Sequence, residues 1–295
     1  MNLSASTPPA GCPVCHGTAK RLGFAIGKHP LWRCAGCRME FLHPQPDEAE
    51  RTGIYGRHYY DAWGLGTDGE AVHRMKVCHF RKLLSRIGDA IPPGGRVLDV
   101  GCATGFFLEA ANEAGFEPFG VEISRYGAEV CRGKFGSWRI HEGILETAEF
   151  GECPDHRVDA VFMSDLLEHV GDPLGTLREA RRWLHPGGRL LVTTPDTGSL
   201  SHHLFRRRWV HYKPEHLYYF GTKSLGFLLA GAGFKVTAFW SATKYLSLRY
   251  ARHQLMSSGQ IVGLLGRWID RLPAGILDGK LPVKLGEVTV MAKAI

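Results

Sequence analysis

The run Val97-Leu98-Asp99-Val100-Gly101-Cys102-Ala103-Thr104-Gly105 constrains this chain more than any other feature. A short, largely apolar strand pattern enters a turn with two glycines, and a helical pattern starts directly after it. A strand with little polar alternation is buried on both faces, which requires layers above and below it. From residue 96 onward, strand-like segments at 96–100, 117–122, 138–142, 158–164, 189–194, 235–240 and 287–292 alternate with helical ones. The helices include 106–114 and 174–184, the latter stopped by Pro186-Gly187-Gly188. That alternation predicts an α/β fold, a parallel sheet with helices on both faces. The chain's 295 residues are enough for one or two such domains.

Ahead of this unit stand two tight cysteine pairs, Cys12-Pro13-Val14-Cys15 and Cys34-Ala35-Gly36-Cys37, with 18 residues between them. Each Cys-x-x-Cys turn aims two sulfurs at one point, and two turns supply the four thiolates of a tetrahedral zinc site. Cys12, Cys15, Cys34 and Cys37 are therefore the expected metal ligands of a small zinc ribbon over residues 1–46. The remaining cysteines, Cys78, Cys102, Cys131 and Cys153, are scattered and read as small buried residues. Residues 47–70, with Tyr55, Tyr59, Tyr60 and Trp63, read as a linker that covers something. A helix follows, with Val77, Phe80, Leu83, Leu84 and Ile87 at helical spacing. The third expected part is the α/β domain, residues 71–295. It carries a helical insertion at 243–285 whose stretch 260–272 has an amphipathic pattern.

Glycines in the turn after Val100 permit unusual backbone angles and a close approach of ligand to backbone. The next strand ends in Glu122, 21 residues after Gly101, where a carboxylate accepts the hydroxyls of a ribose. A nucleoside cofactor is the expectation. The dinucleotide fingerprint is not met, because its three glycine positions fall on Gly101, Ala103 and Phe106.

The strings DVGCATG, VEIS, VDAVFMSDLLEHVGDP and LHPGGRLLVTTPD together resemble class I S-adenosylmethionine-dependent methyltransferases, over residues 71–295. The cysteine pairs with RMEFLHPQP and IYGRHYYD resemble the zinc-ribbon leader of some members. PEHLYYFGTKSLGFLLAGAGF resembles a stretch in ubiquinone-type O-methyltransferases and in tailoring enzymes of polysaccharide and natural-product pathways. The resemblance implies a seven-stranded Rossmann-like sheet with its last strand antiparallel, and S-adenosylmethionine as cofactor. It implies that Asp99, Gly101, Ala103 and Gly105 cradle the methionine part, although the family prefers glycine where Ala103 stands. Glu122 would take the ribose and Ile123 the adenine face. Gly143, Ile144 and Leu145 would meet the adenine edge, with Ile144 where an Asp is common. Ser164 and Asp165 would close the cofactor site at the end of the fourth strand. Asp165 and Glu168 have a plainer reading as caps of the following helix.

A sulfonium methyl is already activated, so the protein needs mainly to align a nucleophile with it. A base is needed where the acceptor is a hydroxyl. His216, His169 and His211 fall near the ligand-binding ends of strands four and five and are the candidates for that role. The expected acceptor is a small molecule or a glycan or lipid intermediate. An RNA acceptor is the alternative, because the chain carries a formal charge of +7 with basic clusters at Arg178, Arg181 and Arg182 and at Arg206, Arg207 and Arg208. Against RNA, the fourth-strand motif SDLLEH lacks the Pro-Pro-aromatic turn common in enzymes that methylate exocyclic base nitrogens. A non-enzymatic scaffold that keeps the fold is a third reading, disfavoured by the retained Gly101, Gly105 and Glu122. The basic clusters also suit contact with an anionic membrane surface. No apolar run spans a bilayer, and the first residues lack a signal-peptide pattern, so a cytoplasmic location is expected.

Overall fold

The computed structural model describes residues 8–47, 50, 69–151, 157–248, 250, 274–277 and 279–295. Tyr55, Tyr59, Tyr60 and Trp63, the stretch 260–272 and Cys153 lie outside the described residues.

Strands β1 (Ala19–Ile26), β2 (His29–Cys34) and β3 (Glu40–Leu42) form an antiparallel meander that carries the cysteine turns at its ends. Helix α1 (Gly69–Ile87) then leads into the α/β unit, burying Val77, Leu84 and Ile87 as the spacing predicted. That unit continues with β4 (Arg96–Val100), α2 (Phe106–Glu113), β5 (Glu117–Glu122), α3 (Arg125–Phe135), β6 (Ile140–Glu142), β7 (Val158–Ser164), α4 (Pro173–Trp183) and β8 (Leu184–Pro195). Helix α5 (Leu200–Phe205), β9 (Tyr218–Tyr219), α6 (Thr222–Gly231) and β10 (Phe234–Ser241) follow. The hairpin of β11 (Lys244–Ser247) with β12 (Lys280–Val283) closes the ends of the insertion, with the short α7 (Ala274–Leu277) inside it. The last strand is β13 (Glu287–Ala294).

Seven strands make the main sheet in the order β10-β13-β8-β7-β4-β5-β6. β13 runs antiparallel to both of its neighbours, while β8, β7, β4, β5 and β6 are parallel. The α/β, Rossmann-like sheet expected from the sequence is the one observed. Its centre is dry: Val97, Leu98, Ala160, Val161 and Val192 are fully buried, as strands covered on both faces must be. The chain leaves β4 toward β5 on one side, and β7 flanks β4 on the other. Their carboxyl ends therefore open the crevice where such sheets bind ligands.

Two local expectations are corrected. Helix α4 stops at Trp183, and the chain is extended from Leu184, before Pro186-Gly187-Gly188 is reached. Those residues instead make an excursion within β8. Val158 pairs with Leu184 but Ala160 with Arg189, and Gly187 takes φ +80° at the detour. The third strand begins at Ile140, because Ser137–Arg139 form a 3₁₀ turn after Gly136.

The ribbon sheet does not end with the ribbon. β9 adds to β3, with Glu40 opposite Tyr219 and Phe41 opposite Tyr218, so residues beyond β8 supply the fourth strand. Ribbon side chains Trp32, Met39 and Phe41 share one buried cluster with Leu98, Leu217 and Tyr218.

A candidate active site at the carboxyl ends of the central strands

The turn after β4 is shaped by backbone angle. Gly101, Ala103 and Gly105 take φ of +78°, +51° and +87°, a region open to glycine and costly for alanine. The family's preference for glycine at position 103 thus has a conformational basis. At Gly105 a side chain is also excluded by space, since a Cβ would lie 2.7 Å from the Phe135 ring. Glu122 ends β5 and ties the turn down. Its two carboxylate oxygens accept the Ala103 and Ser124 backbone N–H groups, each at 2.8 Å. Asp99 is also buried, and burial together with the nearby Glu122 charge pushes its carboxyl well above the usual range. Two buried acids beside one turn suit a ligand that brings positive charge.

Beyond Glu122 the wall becomes apolar and open. Ile123 and Ile144 are large hydrophobic side chains left about half exposed, at 54% and 49%. β5 and β6 run in register with Glu122 opposite Glu142, and the Gly143 N–H donates to the Glu122 carbonyl. Ile123 and the Gly143-Ile144 turn are thereby neighbours at one sheet edge, while Leu145 points into the core. This arrangement fits a flat aromatic base lying on aliphatic side chains.

On the other side, β7 ends at Ser164, and Asp165 takes a positive φ of +54°, a strained conformation for a non-glycine residue. Asp165 caps no helix: α4 is capped by Asp172, whose carboxylate accepts from Leu174 and Gly175 N–H. Asp165 instead receives the Lys244 ammonium at 2.9 Å, and the same ammonium reaches Glu287 at 2.6 Å. Partial shielding from solvent works against ionisation, but Asp165 keeps 45% of its side chain exposed and the Lys244 ammonium holds the group below the usual range. Lys244 itself is held charged by the two carboxylates against the effect of burial. Glu287 is nearly fully buried, and burial raises its pKa. Lys76 on α1 feels burial and Lys244, which bring it down to about 8. Sequence reading missed Lys244, Glu287 and Lys76.

The three histidines occupy distinct settings. Glu168, His169 and His216 bring ligand atoms within 4.8 Å of one another. His169 Nδ1 lies 3.1 Å from the Glu215 carbonyl, which can only accept, so Nδ1 carries the proton and Nε2 the lone pair. The rings of His169 and His216 meet edge to face at 4.6 Å. Burial brings His169 down to about 4, and burial plus His169 keeps His216 well below 6.5. His216 Nδ1 is buried without a hydrogen-bond partner. His211 stands apart, with Nε2 donating to the Leu285 carbonyl at 3.1 Å, and burial and Lys244 bring it down to about 4. Glu168 accepts from the Thr194 hydroxyl at 2.9 Å. Burial and the Asp165 charge push Glu168 up to about 8.

The four ribbon cysteines also converge. Their sulfurs all lie within 4.8 Å of one another, with Cys12 to Cys37 at 3.5 Å and Cys15 to Cys34 at 3.4 Å. A zinc ion held by four thiolates at about 2.3 Å sets its sulfurs roughly 3.8 Å apart, close to this spacing. Backbone N–H groups of Val14, Gly36 and Cys37 point at Cys12 and Cys34 sulfurs, as they do around bound thiolates. The contact between Cys12 and Cys37 lowers the Cys12 thiol and raises that of Cys37, so the two share one proton unequally.

Comparison with known proteins bears on the family and the fold. A family model described as a methyltransferase domain matches residues 72–238. The ubiquinone biosynthesis O-methyltransferase of Xanthomonas campestris pv. campestris is 32% identical over 149 residues, 50% of this chain and 60% of the relative. That of Alkalilimnicola ehrlichii is 30% identical over 111 residues, 37% of this chain and 45% of the relative. The chain thus spans about half the length of these curated relatives. Among solved structures, a chain of the Haloferax volcanii complex between the Trm112 methyltransferase activator and a candidate methyltransferase superimposes with TM-score 0.52. It covers 79% of this chain and 97% of its own length at 16% identity. A candidate methyltransferase of Bacillus halodurans gives TM-score 0.50 at 19% identity, covering 72% of this chain and 97% of that one. These likenesses support the Rossmann-like methyltransferase fold described above.

Proposed function

The chain belongs to the methyltransferase-domain family, and from that premise we propose that it moves the methyl group of S-adenosylmethionine to a hydroxyl of a small molecule or a glycan or lipid intermediate. The observation that carries the reading is the pair of buried acids, Asp99 and Glu122, on a turn whose residues 101, 103 and 105 all have positive φ. When bound, the cofactor supplies a methyl on a cationic sulfur. Asp99 faces the positive methionine portion and Glu122 the ribose, while Gly101, Ala103 and Gly105 let the backbone approach. Ile123 packs on the adenine, with Gly143 and Ile144 along its edge and Leu145 backing that turn from the core, and Ser164 and Asp165 close the site beside the methyl.

The acceptor lies on the side of Asp165 and the histidines. His169 takes the hydroxyl proton on Nε2, because the Glu215 carbonyl fixes its tautomer and burial keeps it neutral. His216 packs against it and holds the ring, and His211 lines the outer edge beside Leu285. Lys244 locks Asp165 and Glu287 into one wall. The ubiquinone-type relatives are named for O-methylation, which supports a hydroxyl acceptor. Cys12, Cys15, Cys34 and Cys37 hold one structural zinc. The test is incubation with S-adenosylmethionine and a panel of hydroxylated aromatic, glycan and lipid compounds, read as a mass gain of one methyl. Methylation of such a compound supports the reading, and methyl transfer to RNA alone overturns it.

A further inference from the structure

Helix α5 presents an exposed apolar surface. Leu200, Leu204 and Phe205 are 83%, 70% and 55% exposed, and Val210 just beyond is 59% exposed. Leu285 joins them, because Ser201 Oγ and His211 Nε2 both donate to its carbonyl at 3.1 Å. The helix is not frayed. Its other side is anchored by buried His202 and Trp209, with the Trp209 indole N–H donating to Ser201 Oγ at 3.0 Å. Water therefore meets aliphatic and aromatic side chains on a fixed base.

Basic residues dominate the charge around this surface, with the partly buried Asp196 and Glu215 just outside it. Residues 197–213 and 281–286 contain Arg206, Arg207, Arg208, Lys213 and Lys284, all exposed, and no Asp or Glu. The whole chain carries only +7. The other basic cluster differs: on α4, Arg182 pairs with Glu179 and Arg181 bonds the Ile295 carbonyl oxygen.

We infer that the surface made by Leu200, Leu204, Phe205 and Val210 with Arg206 and Arg208 docks on an anionic lipid bilayer. Apolar side chains set in a basic rim match the boundary between anionic headgroups and acyl chains, where both kinds of side chain are satisfied at once. Nucleic acid would engage the arginines but leave the apolar side chains facing water. A two-fold contact between copies would bring the arginine clusters toward each other. Among the described residues no helix is long and apolar enough to cross a membrane, so the contact is interfacial. The surface adjoins His211 and Leu285, at the outer edge of the acceptor side. What it delivers there rests on the methyltransferase reading; the docking is tested without turnover.

The test is vesicle flotation of the full chain, with phosphatidylcholine alone and with phosphatidylcholine containing phosphatidylglycerol. The chain should float with the anionic vesicles and stay behind with the neutral ones. Leu200→Ser/Leu204→Ser/Phe205→Ser should weaken the partition on the order of 100-fold through lost apolar burial. Arg206→Gln/Arg208→Gln should weaken it roughly thirtyfold, at about 1 kcal/mol per basic residue near an anionic surface. That variant spares Arg207, which stacks over Phe24. Both variants should keep the melting temperature, since every altered side chain is exposed. Failure of the unaltered chain to float with anionic vesicles at low salt overturns the inference. So does a serine variant that floats as well as the original, which would leave a charge-only surface of the nucleic-acid type. Conversion of a dimer to a monomer by the serine changes, with flotation unchanged, assigns the face to a second copy.

Discussion

From Asp99 to Glu122 the cofactor end of the cleft is one strand–turn–helix–strand unit, closed by two hydrogen bonds that the Glu122 carboxylate accepts, from Ala103 N–H in the turn and from Ser124 N–H. The acceptor end is assembled differently. Asp165, Lys244 and Glu287 come from the ends of three strands and meet through one ammonium group. His169 and His216 are held by a fourth, β9, which belongs to the ribbon sheet: Leu217 donates to the Glu168 carbonyl, and Leu42 of β3 donates to the Leu217 carbonyl. A local unit keeps its shape when distant parts change, and an assembled one does not. The cofactor end should therefore tolerate damage to the ribbon that the acceptor end does not.

The largest expected effect follows from metal removal, because structural zinc contributes on the order of 10 kcal/mol to small four-ligand folds. Chelation, or Cys12→Ser with Cys37→Ser, should unfold the β1–β3 meander and abolish methyl transfer while cofactor binding persists. Circular dichroism, elemental analysis and a cofactor titration on one sample check this. Equal loss of cofactor binding breaks the contrast between the two ends. Next, His169→Ala should lower turnover by about 10²–10⁴ with cofactor affinity near normal. Above pH 5 the rate should show no limb near the ordinary histidine value, because His169 titrates at about 4. If His216→Ala costs the full factor and His169→Ala none, the roles of the two rings are exchanged.

Lys244→Met should cost roughly 3 kcal/mol, the lower end for breaking a buried ion pair, because it strands the buried Glu287 carboxylate. Denaturant unfolding measures it, and Lys244→Met with Glu287→Leu should recover most of the loss. A smaller effect concerns Glu168, whose folded pKa of about 8 lies above its ordinary 4.5. The folded state then binds the extra proton, so this group's contribution to stability is full below its ordinary 4.5 and is lost as pH rises through about 8. Glu168→Gln should flatten the fall in melting temperature between pH 5.5 and pH 8.5. Glu287, raised in the same direction, leaves some slope behind. An unchanged slope means that Glu168 is ionised in the fold.

The same contrast decides what was legible in the sequence. The glycine turn, Glu122 and the cysteine pairs signal through short fixed spacings, so their placement could be read before the fold was known. Lys244 and Glu287 carry no such spacing. They lie 79 and 122 positions beyond Asp165, and only the sheet order makes them neighbours. Glu40 is similar: a fully buried acid on β3, it accepts from Arg33 and from Tyr212, which lies 172 positions away. Burial would raise its carboxyl, but hydrogen bonds from His202, Tyr212 and Arg33 outweigh that and lower it. Pro186-Gly187-Gly188 has the composition of a helix stop, yet pairing with β7 draws it into a strand detour. Local composition was overruled there by the sheet.

The central claim is that the Asp99–Glu122 unit is a cofactor site for S-adenosylmethionine, and calorimetric titration tests it most directly. The unaltered chain should bind one cofactor, and Glu122→Ala should weaken that binding by roughly 1.5–3 kcal/mol, the scale for hydrogen bonds to a charged group. Melting temperature, followed on both proteins, separates lost contact from lost fold. No binding by the unaltered chain, or equal affinity in a folded Glu122→Ala protein, would contradict the account.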